Sequence, residues 1–512
     1  MWVDLFPLLL LLFRLSSACQ SGCVCSSGGT VVCSNAGFRT FPILLDPRTT
    51  RLDLSSNSLS RLTADDLSVY PNLEWLSMAN NSLTLLPADV FGSLSSLKHL
   101  DLGHNRLLSL PNNIFRYLKN LKSLNMAHNE LQLTPLTFVG LSGLEELNLS
   151  ENKMSYLPPT VFRPMTLRQL DLSGNKLLSM PASLMSTLPS LERLNLKQNL
   201  LSGLESGMFS AQKSLQELDL SENLLSELED GAFFGLDALT TLNLTSNQIS
   251  RLPGNAWPLP RLRLLDLSDN LLVVLDTASF DSLPHLQYLN VSQSRNLRGI
   301  HMSAFVSLSS LVWLSLADCS LSTISQNAFT SPSPLRYLDL RGNQLSSIPA
   351  FANFNRIPQL YLEGNPWHCD CSLRELRLMS GALCASPPKF KGLELVDLEE
   401  CSFLQGMFWP LVLGVVLLLL AVVVLILALR RPRRKMTVCR QGNLLPPLVH
   451  KDYVSQDYYS RDYVYERSFT SPTDSAYESP TSAFLPKTPA PSKPPTLVRP
   501  PQYHFSVPST HI

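Results

Sequence analysis

One pattern, LxxLxLxxN, recurs along most of the chain and restricts its fold more than any other feature. It is clearest in LEELNLSEN (Leu144 to Asn152), LRQLDLSGN (Leu167 to Asn175), LQELDLSEN (Leu215 to Asn223) and LRLLDLSDN (Leu262 to Asn270). Its last position falls at Asn57, Asn81, Asn105, Asn129, Asn152, Asn175, Asn199, Asn223, Asn247, Asn270, Ser294, Cys319, Asn343 and Asn365, giving fourteen units spaced 22 to 25 residues apart. A unit this short, one strand plus a returning segment, buries its leucines only when neighbours stack on both sides. The chain must therefore form a solenoid with one continuous core. Each asparagine turns the chain after its strand and can hydrogen-bond backbone groups of adjacent turns that burial would otherwise leave unpaired. Phe91, Phe115, Phe138, Phe162, Phe209, Phe233, Phe280, Phe305 and Phe329 form a second spine on the return side, read as core filler and not as a cofactor box.

The period and pattern resemble leucine-rich repeats. The resemblance implies an α/β solenoid, a curved horseshoe with a parallel concave β-sheet, over residues 51–364. Cys319 replaces the expected asparagine in LVWLSLADCSLSTI, Leu311 to Ile324. A cysteine here is an accepted variant of the repeat, able to make a weak S–H hydrogen bond. A reactive thiol would need an exposed electropositive setting, so this one is predicted to be buried and inert. The ladder also breaks at Ser294 to Leu297, where one residue is inserted.

Cysteines bracket the repeats. Cys19, Cys23, Cys25 and Cys33 precede them, and Cys369, Cys371, Cys384 and Cys401 follow. Both groups read as caps (19–50 and 365–402) that shield the solenoid ends in an oxidising compartment. Each group of four allows three connectivities. The second begins NPWHCDC, Asn365 to Cys371, which resembles the C-terminal cysteine-rich flank of extracellular leucine-rich repeat proteins. That resemblance implies first-to-third and second-to-fourth pairing: Cys19–Cys25, Cys23–Cys33, Cys369–Cys384 and Cys371–Cys401.

The opening MWVDLFPLLLLLFRLSSACQ reads as a signal peptide over residues 1–18, with Ser16 and Ala18 at the small-residue positions of a cleavage site. Met407 to Leu429 is free of charge over 23 residues, enough for one transmembrane helix, and Arg430, Arg431, Arg433, Arg434 and Lys435 follow it. A single-pass type I plasma-membrane protein is expected, with extracellular repeats and a cytoplasmic C-terminus. The overall balance of 41 basic and 41 acidic residues conceals 28 against 34 in residues 19–402 and 12 against 6 in residues 430–512. Nothing in this balance suggests nucleic acid; the basic run is a topology signal that also meets anionic lipid. Cys439 behind it is either palmitoylated or an ordinary reduced cysteine.

In each strand the residues flanking the inward leucine face the concave side, because strand side chains alternate. Most are polar. Tyr288, Trp313 and Tyr337 instead share one column of three consecutive strands, and Tyr361 joins from the next column. Two readings stand: an anchor set for a ligand, since aromatics are enriched at binding hot spots, or rings that pack on one another and shield the irregular repeat. Glycosylation sequons occur at Asn80, Asn148, Asn243 and Asn290, the last three on the concave face, where Asn290 would place a glycan beside the rings.

The segment 430–512 holds 13 prolines and seven of the thirteen tyrosines, and is expected to be a disordered cytoplasmic tail. It shows no kinase motif and is too short for the signalling domain of Toll-like receptors, whose ectodomains are similar. Short motifs remain. Thr510 and Ile512 in PSTHI suit a PDZ groove, and PPQY (Pro500, Pro501, Tyr503) resembles a WW-domain ligand. Acidic residues surround Tyr453, Tyr458, Tyr459, Tyr463 and Tyr465, candidate phosphorylation sites together with Tyr477. The nine histidines are scattered and no nucleophile or metal-ligand spacing occurs, so recognition without cofactor or metal is expected.

Residues 19–402 resemble the extracellular leucine-rich repeat superfamily, in particular single-pass adhesion and guidance proteins, several of which end in PDZ ligands. The resemblance implies a receptor that binds an extracellular or cell-surface protein and recruits PDZ, WW or phosphotyrosine-binding proteins. Unlike many relatives it has no immunoglobulin or fibronectin module; only Ser402 to Gly406 separate cap from membrane segment. The alternative is a co-receptor or carrier acting in cis on another receptor or a secreted growth factor.

Overall fold

A computed structural model describes residues 19–430, apart from 164, 253–256, 277–278, 326–327, 329–333, 349–356, 371–372, 374–380, 398–402 and the side chains of 403–409. Val24–Cys25 pairs antiparallel with Thr30–Val32 in the N-terminal cap. Thr30–Val32 then starts a parallel array through the fourteen repeat strands, Arg51–Asp53 to Gln359–Tyr361, which bound about thirteen coils. Every repeat strand is three residues long with a buried central leucine, and successive leucines pair directly, as Leu52 with Leu76 and Leu76 with Leu100. A slip of one residue would expose that leucine, so burial fixes which face of each strand turns inward.

The corner after each strand has one geometry throughout. The residue before the ladder position is left-handed in all fourteen units, from Ser56 (φ 56°) and His104 (φ 52°) to Gly342 (φ 64°) and Gly364 (φ 73°). L residues adopt this conformation at a cost, so something must enforce it. The enforcing group is the asparagine amide. Asn199 Nδ2 donates to Leu172 O, Leu196 O and Lys197 O at 3.0, 3.1 and 3.2 Å, while its Oδ1 accepts from Leu177 N at 3.0 Å. One side chain thus joins two coils and closes its own corner.

The ladder lapses at two consecutive units. Ser294 is fully buried and its Oγ has no partner among the described residues. Cys319 Sγ donates to Val291 O (3.4 Å) and Ala317 O (3.5 Å). The inserted residue explains why a thiol suffices: Leu297 N, which would need an amide oxygen at position 319, donates to Ser294 O at 2.9 Å. Burial, the largest cause, pushes the Cys319 thiol up to about 12, so it stays protonated and inert. The left-handed corner persists at Gln293 and Asp318. Here a second parallel sheet appears on the return side, of Val274–Leu275, Gly299–Ile300 and Thr323–Ile324. These return segments follow Asn270, Ser294 and Cys319, so backbone pairing restores the coil-to-coil bonds that the ladder gives up.

The return-side spine stacks ring on ring, Phe91–Phe115 at 5.9 Å, Phe115–Phe138 at 6.2 Å and Phe138–Phe162 at 6.3 Å. Trp257, absent from the sequence reading of the spine, stacks on Phe233 at 5.5 Å and satisfies its indole N–H on Ser279 O at 2.8 Å. Phe329 lies outside the described residues. Disulfides join Cys19 to Cys25, Cys23 to Cys33 and Cys369 to Cys384; Cys371 and Cys401 lie outside the described residues. Phe403–Leu429 forms a helix whose segment Pro410–Leu429 is long and apolar enough to cross a membrane.

Asn199→Ala strands several buried backbone groups at once, each worth about 1–3 kcal/mol. Thermal unfolding followed by circular dichroism is expected to show a loss of about 3 kcal/mol or more, and a much smaller loss for Cys319→Ala.

Candidate functional site

The concave sheet carries three chemically distinct zones. At its C-terminal end the pairing of Tyr288 with Trp313 and of Trp313 with Tyr337 puts three rings in direct register. Ring centroids lie 3.9 Å apart at 10° and then 4.8 Å apart at 13°. Tyr361, one column over, tilts against Tyr337 at 5.2 Å and 45°. The four sequence-predicted residues therefore form one slab, half-buried because each ring covers its neighbour.

The slab ends in a charged clamp that sequence reasoning missed. Asp339, only 2% exposed, accepts from Arg341 Nε at 2.9 and 3.1 Å and from Nη2 at 2.5 Å, and Tyr337 Oη donates to it at 3.3 Å. The Arg341 guanidinium then lies 4.9 Å over the Tyr361 ring, and the Asp339 hydrogen bond holds it even more firmly protonated than an ordinary arginine. Arg341 could have been found from its spacing, two residues past a buried strand aspartate. Burial raises the Tyr288 phenol well above its ordinary range, with Asp266 adding to the effect, and raises Tyr337 to about 12, helped by Asp339.

The middle of the sheet is a polar trough. Aspartate and asparagine share one column, and Asn125, Asn195, Asn243 and Asn290 donate through Nδ2 to Asp101, Asp171, Asp219 and Asp266 at 2.8, 3.1, 3.2 and 3.0 Å. Two of these asparagines are sequons. The Nδ2 atoms of Asn243 and Asn290, which glycans would occupy, are thus engaged; Asn148 is half-buried in the same column, and Asn80 is exposed at a left-handed corner. At the N-terminal end Arg51 lies 3.6 Å over the Trp75 ring, a pair visible in the same sequence column as the aromatic slab but not singled out there. Among the described residues no group of three or more His, Cys, Asp or Glu could hold a metal ion. The tail candidates Tyr453, Tyr458, Tyr459, Tyr463, Tyr465, Tyr477, Pro500, Pro501, Tyr503, Thr510 and Ile512 lie outside the described residues.

The leucine rich repeat family model matches in overlapping segments from 71–131 to 313–366, more than half of the 512 residues. Leucine-rich repeat-containing protein 3B of Homo sapiens, Mus musculus and Bos taurus is 42% identical over 59 residues, 11% of this chain and 23% of that protein. This chain thus spans under a quarter of the length of those relatives. Among solved structures, a TLR13–ssRNA13 complex is similar at 26% identity and a TM-score of 0.57, over 69% of this chain and 57% of that one. A leucine-rich repeat protein of Leptospira interrogans is similar at 27% identity and a TM-score of 0.54, over 68% and 92%.

Alkaline titration of tyrosinate absorbance should show Tyr288 and Tyr337 ionising after the exposed phenols, identified by loss of those steps in Tyr288→Phe and Tyr337→Phe. Trp313→Ala, which uncovers both rings, is expected to bring them back toward the ordinary value of 10.0.

Proposed function

Because the chain belongs to the leucine-rich repeat family, whose members are non-enzymatic binding proteins, we propose that it is a cell-surface recognition receptor taking a protein ligand on the Tyr288–Trp313–Tyr337–Tyr361 slab. The observation that carries this reading is that four aromatic rings from successive strands stack into one half-exposed slab on the concave face. Where the asparagine ladder lapses, the return-side sheet ties the coils, so the rings have no deficit to repair. Stacking holds the half-exposed rings against one another, which lowers the ordering cost of binding. The nearest sequons, Asn243 and Asn290, keep their amides in the aspartate ladder, which supports a face clear of glycan.

In this reading the helix ending at Leu429 anchors the protein with its repeats outside. The tail then offers the tyrosine cluster, PPQY and PSTHI to phosphotyrosine-binding, WW and PDZ proteins in the cytoplasm. A cis co-receptor is the second reading, favoured by the few residues, Ser402 to Gly406, between the cap and the charge-free segment Met407 to Leu429, which limit reach toward an opposing cell.

The multimerised ectodomain, residues 19–402, is to be screened against cells each displaying one membrane protein. A specific partner is expected, and Trp313→Ala with Tyr337→Ala should weaken it by about thirtyfold or more, the about 2 kcal/mol of a hot-spot aromatic. A partner retained in full by a folded double variant places the site elsewhere. Removing Thr510 to Ile512 from the full chain is expected to disperse its surface clusters while leaving ligand capture intact; a change in turnover alone favours the cis reading.

A further inference from the structure

Beside the concave sheet runs the column of residues that enters each strand, and its charges are arranged unevenly. In the first half they cancel between neighbouring coils: Lys98 Nζ meets Glu74 at 2.8 Å, Lys122 Nζ meets Glu145 at 2.6 Å, and Arg168 meets Glu192. Further along the cancellation stops. Backbone bonds run in sequence from Arg263 N to Thr240 O, Gln287 N to Arg263 O, Val312 N to Gln287 O and Arg336 N to Val312 O, at 2.8 to 2.9 Å, so these residues are direct neighbours. None of them is acidic. Arg261 and His285 stand exposed next to Arg263, in an open recess lined otherwise by Gln216, Ala238, Thr240 and Gln287. Among the described residues Arg261, Arg263 and Arg336 form no ion pair, although the region from 19 to 402 carries more acid than base.

The position of this basic edge gives it a role. Gln287, Val312 and Arg336 immediately precede Tyr288, Trp313 and Tyr337, so the edge borders three of the four rings of the slab. We infer that the edge binds an acidic segment of the same protein ligand, its carboxylates on Arg261, Arg263 and Arg336 and its apolar side chains on the rings. Arginine's planar fork suits bidentate carboxylate recognition. Between Arg263 and Arg336 lie two uncharged steps, one of them the apolar Val312, over about 14 Å at the spacing of parallel strands. A polypeptide can place carboxylates at the ends of such a gap and neutral side chains within it. A uniformly sulfated polysaccharide would leave sulfates unpaired there. The inference rests on the slab being the ligand anchor, and adds the chemistry of the ligand.

The test uses the purified full chain in detergent and three labelled probes: a peptide of alternating glutamate and tryptophan, its lysine–tryptophan counterpart, and a heparin oligosaccharide. Fluorescence anisotropy should show the glutamate peptide binding most tightly and weakening with salt. Arg261→Glu with Arg263→Glu, both at exposed positions, should cost at least about tenfold in affinity with the melting temperature unchanged; Arg261→Gln with Arg263→Gln gives the same direction if the reversal misfolds. No binding of the glutamate peptide, equal binding by the charge-reversed chain, or equal binding of the lysine peptide overturns the inference. Tighter heparin binding through the same arginines overturns it in favour of a sulfated polysaccharide. Loss on Trp313→Ala but not on charge reversal sinks this inference alone, and loss on charge reversal but not on Trp313→Ala sinks the anchor role of the slab.

Discussion

The structure depends on one side-chain amide repeated from coil to coil. A strand of three residues has too few backbone bonds to hold its neighbours, and the chain must leave each strand through a left-handed corner that most residues resist. The ladder asparagine meets both needs at once. It donates to carbonyls of its own corner and of the previous coil, and accepts from an N–H of that coil, as Asn129 and Asn223 both do. Apart from Ala127 O and Ser221 O, which also accept from His104 N and Gln198 N, these buried groups depend on the amide and without it would stay unpaired in an apolar interior. Leucine burial drives the stacking, but leucine is not directional; the amide sets the coil-to-coil geometry that puts side chains of successive strands in columns.

The two lapses of the ladder show how much of this geometry can be supplied by other means. At Ser294 and Cys319 the corners keep their left-handed turn, and the second parallel sheet takes over the bonding between coils. The aromatic slab begins over these same units. Because columns continue unbroken across the lapse, Tyr288, Trp313 and Tyr337 fall into face-to-face register, and the strand-entry residues beside them form a continuous edge. A solenoid presents such columns to a partner, so a ligand can meet several coils at equal spacing. Aromatic area and basic charge lie side by side at this end, while the middle of the sheet is occupied by aspartate–asparagine bonding.

Much of this was legible in the sequence. The fourteen strands, their inward leucines, the ladder and the aromatic column all follow from a repeat in which each unit has the same fate, so position within the unit is position in space. The burial of the Cys319 thiol follows from its place in the repeat for the same reason. Residues that leave the pattern were harder to place: Trp257 fills the phenylalanine spine at a position where no phenylalanine marked it, and Arg341 clamps Asp339 across two residues of one coil. The sequence by itself determined the solenoid, its caps and which side chains share a column, because burial of a short periodic unit permits only one way of stacking. Only the tertiary structure decided that the rings stack, that the sequon amides are tied to aspartates, and that the late arginines lack the acidic neighbours of the early lysines. Those outcomes depend on distances of a few ångströms between coils, which no periodicity within a coil specifies.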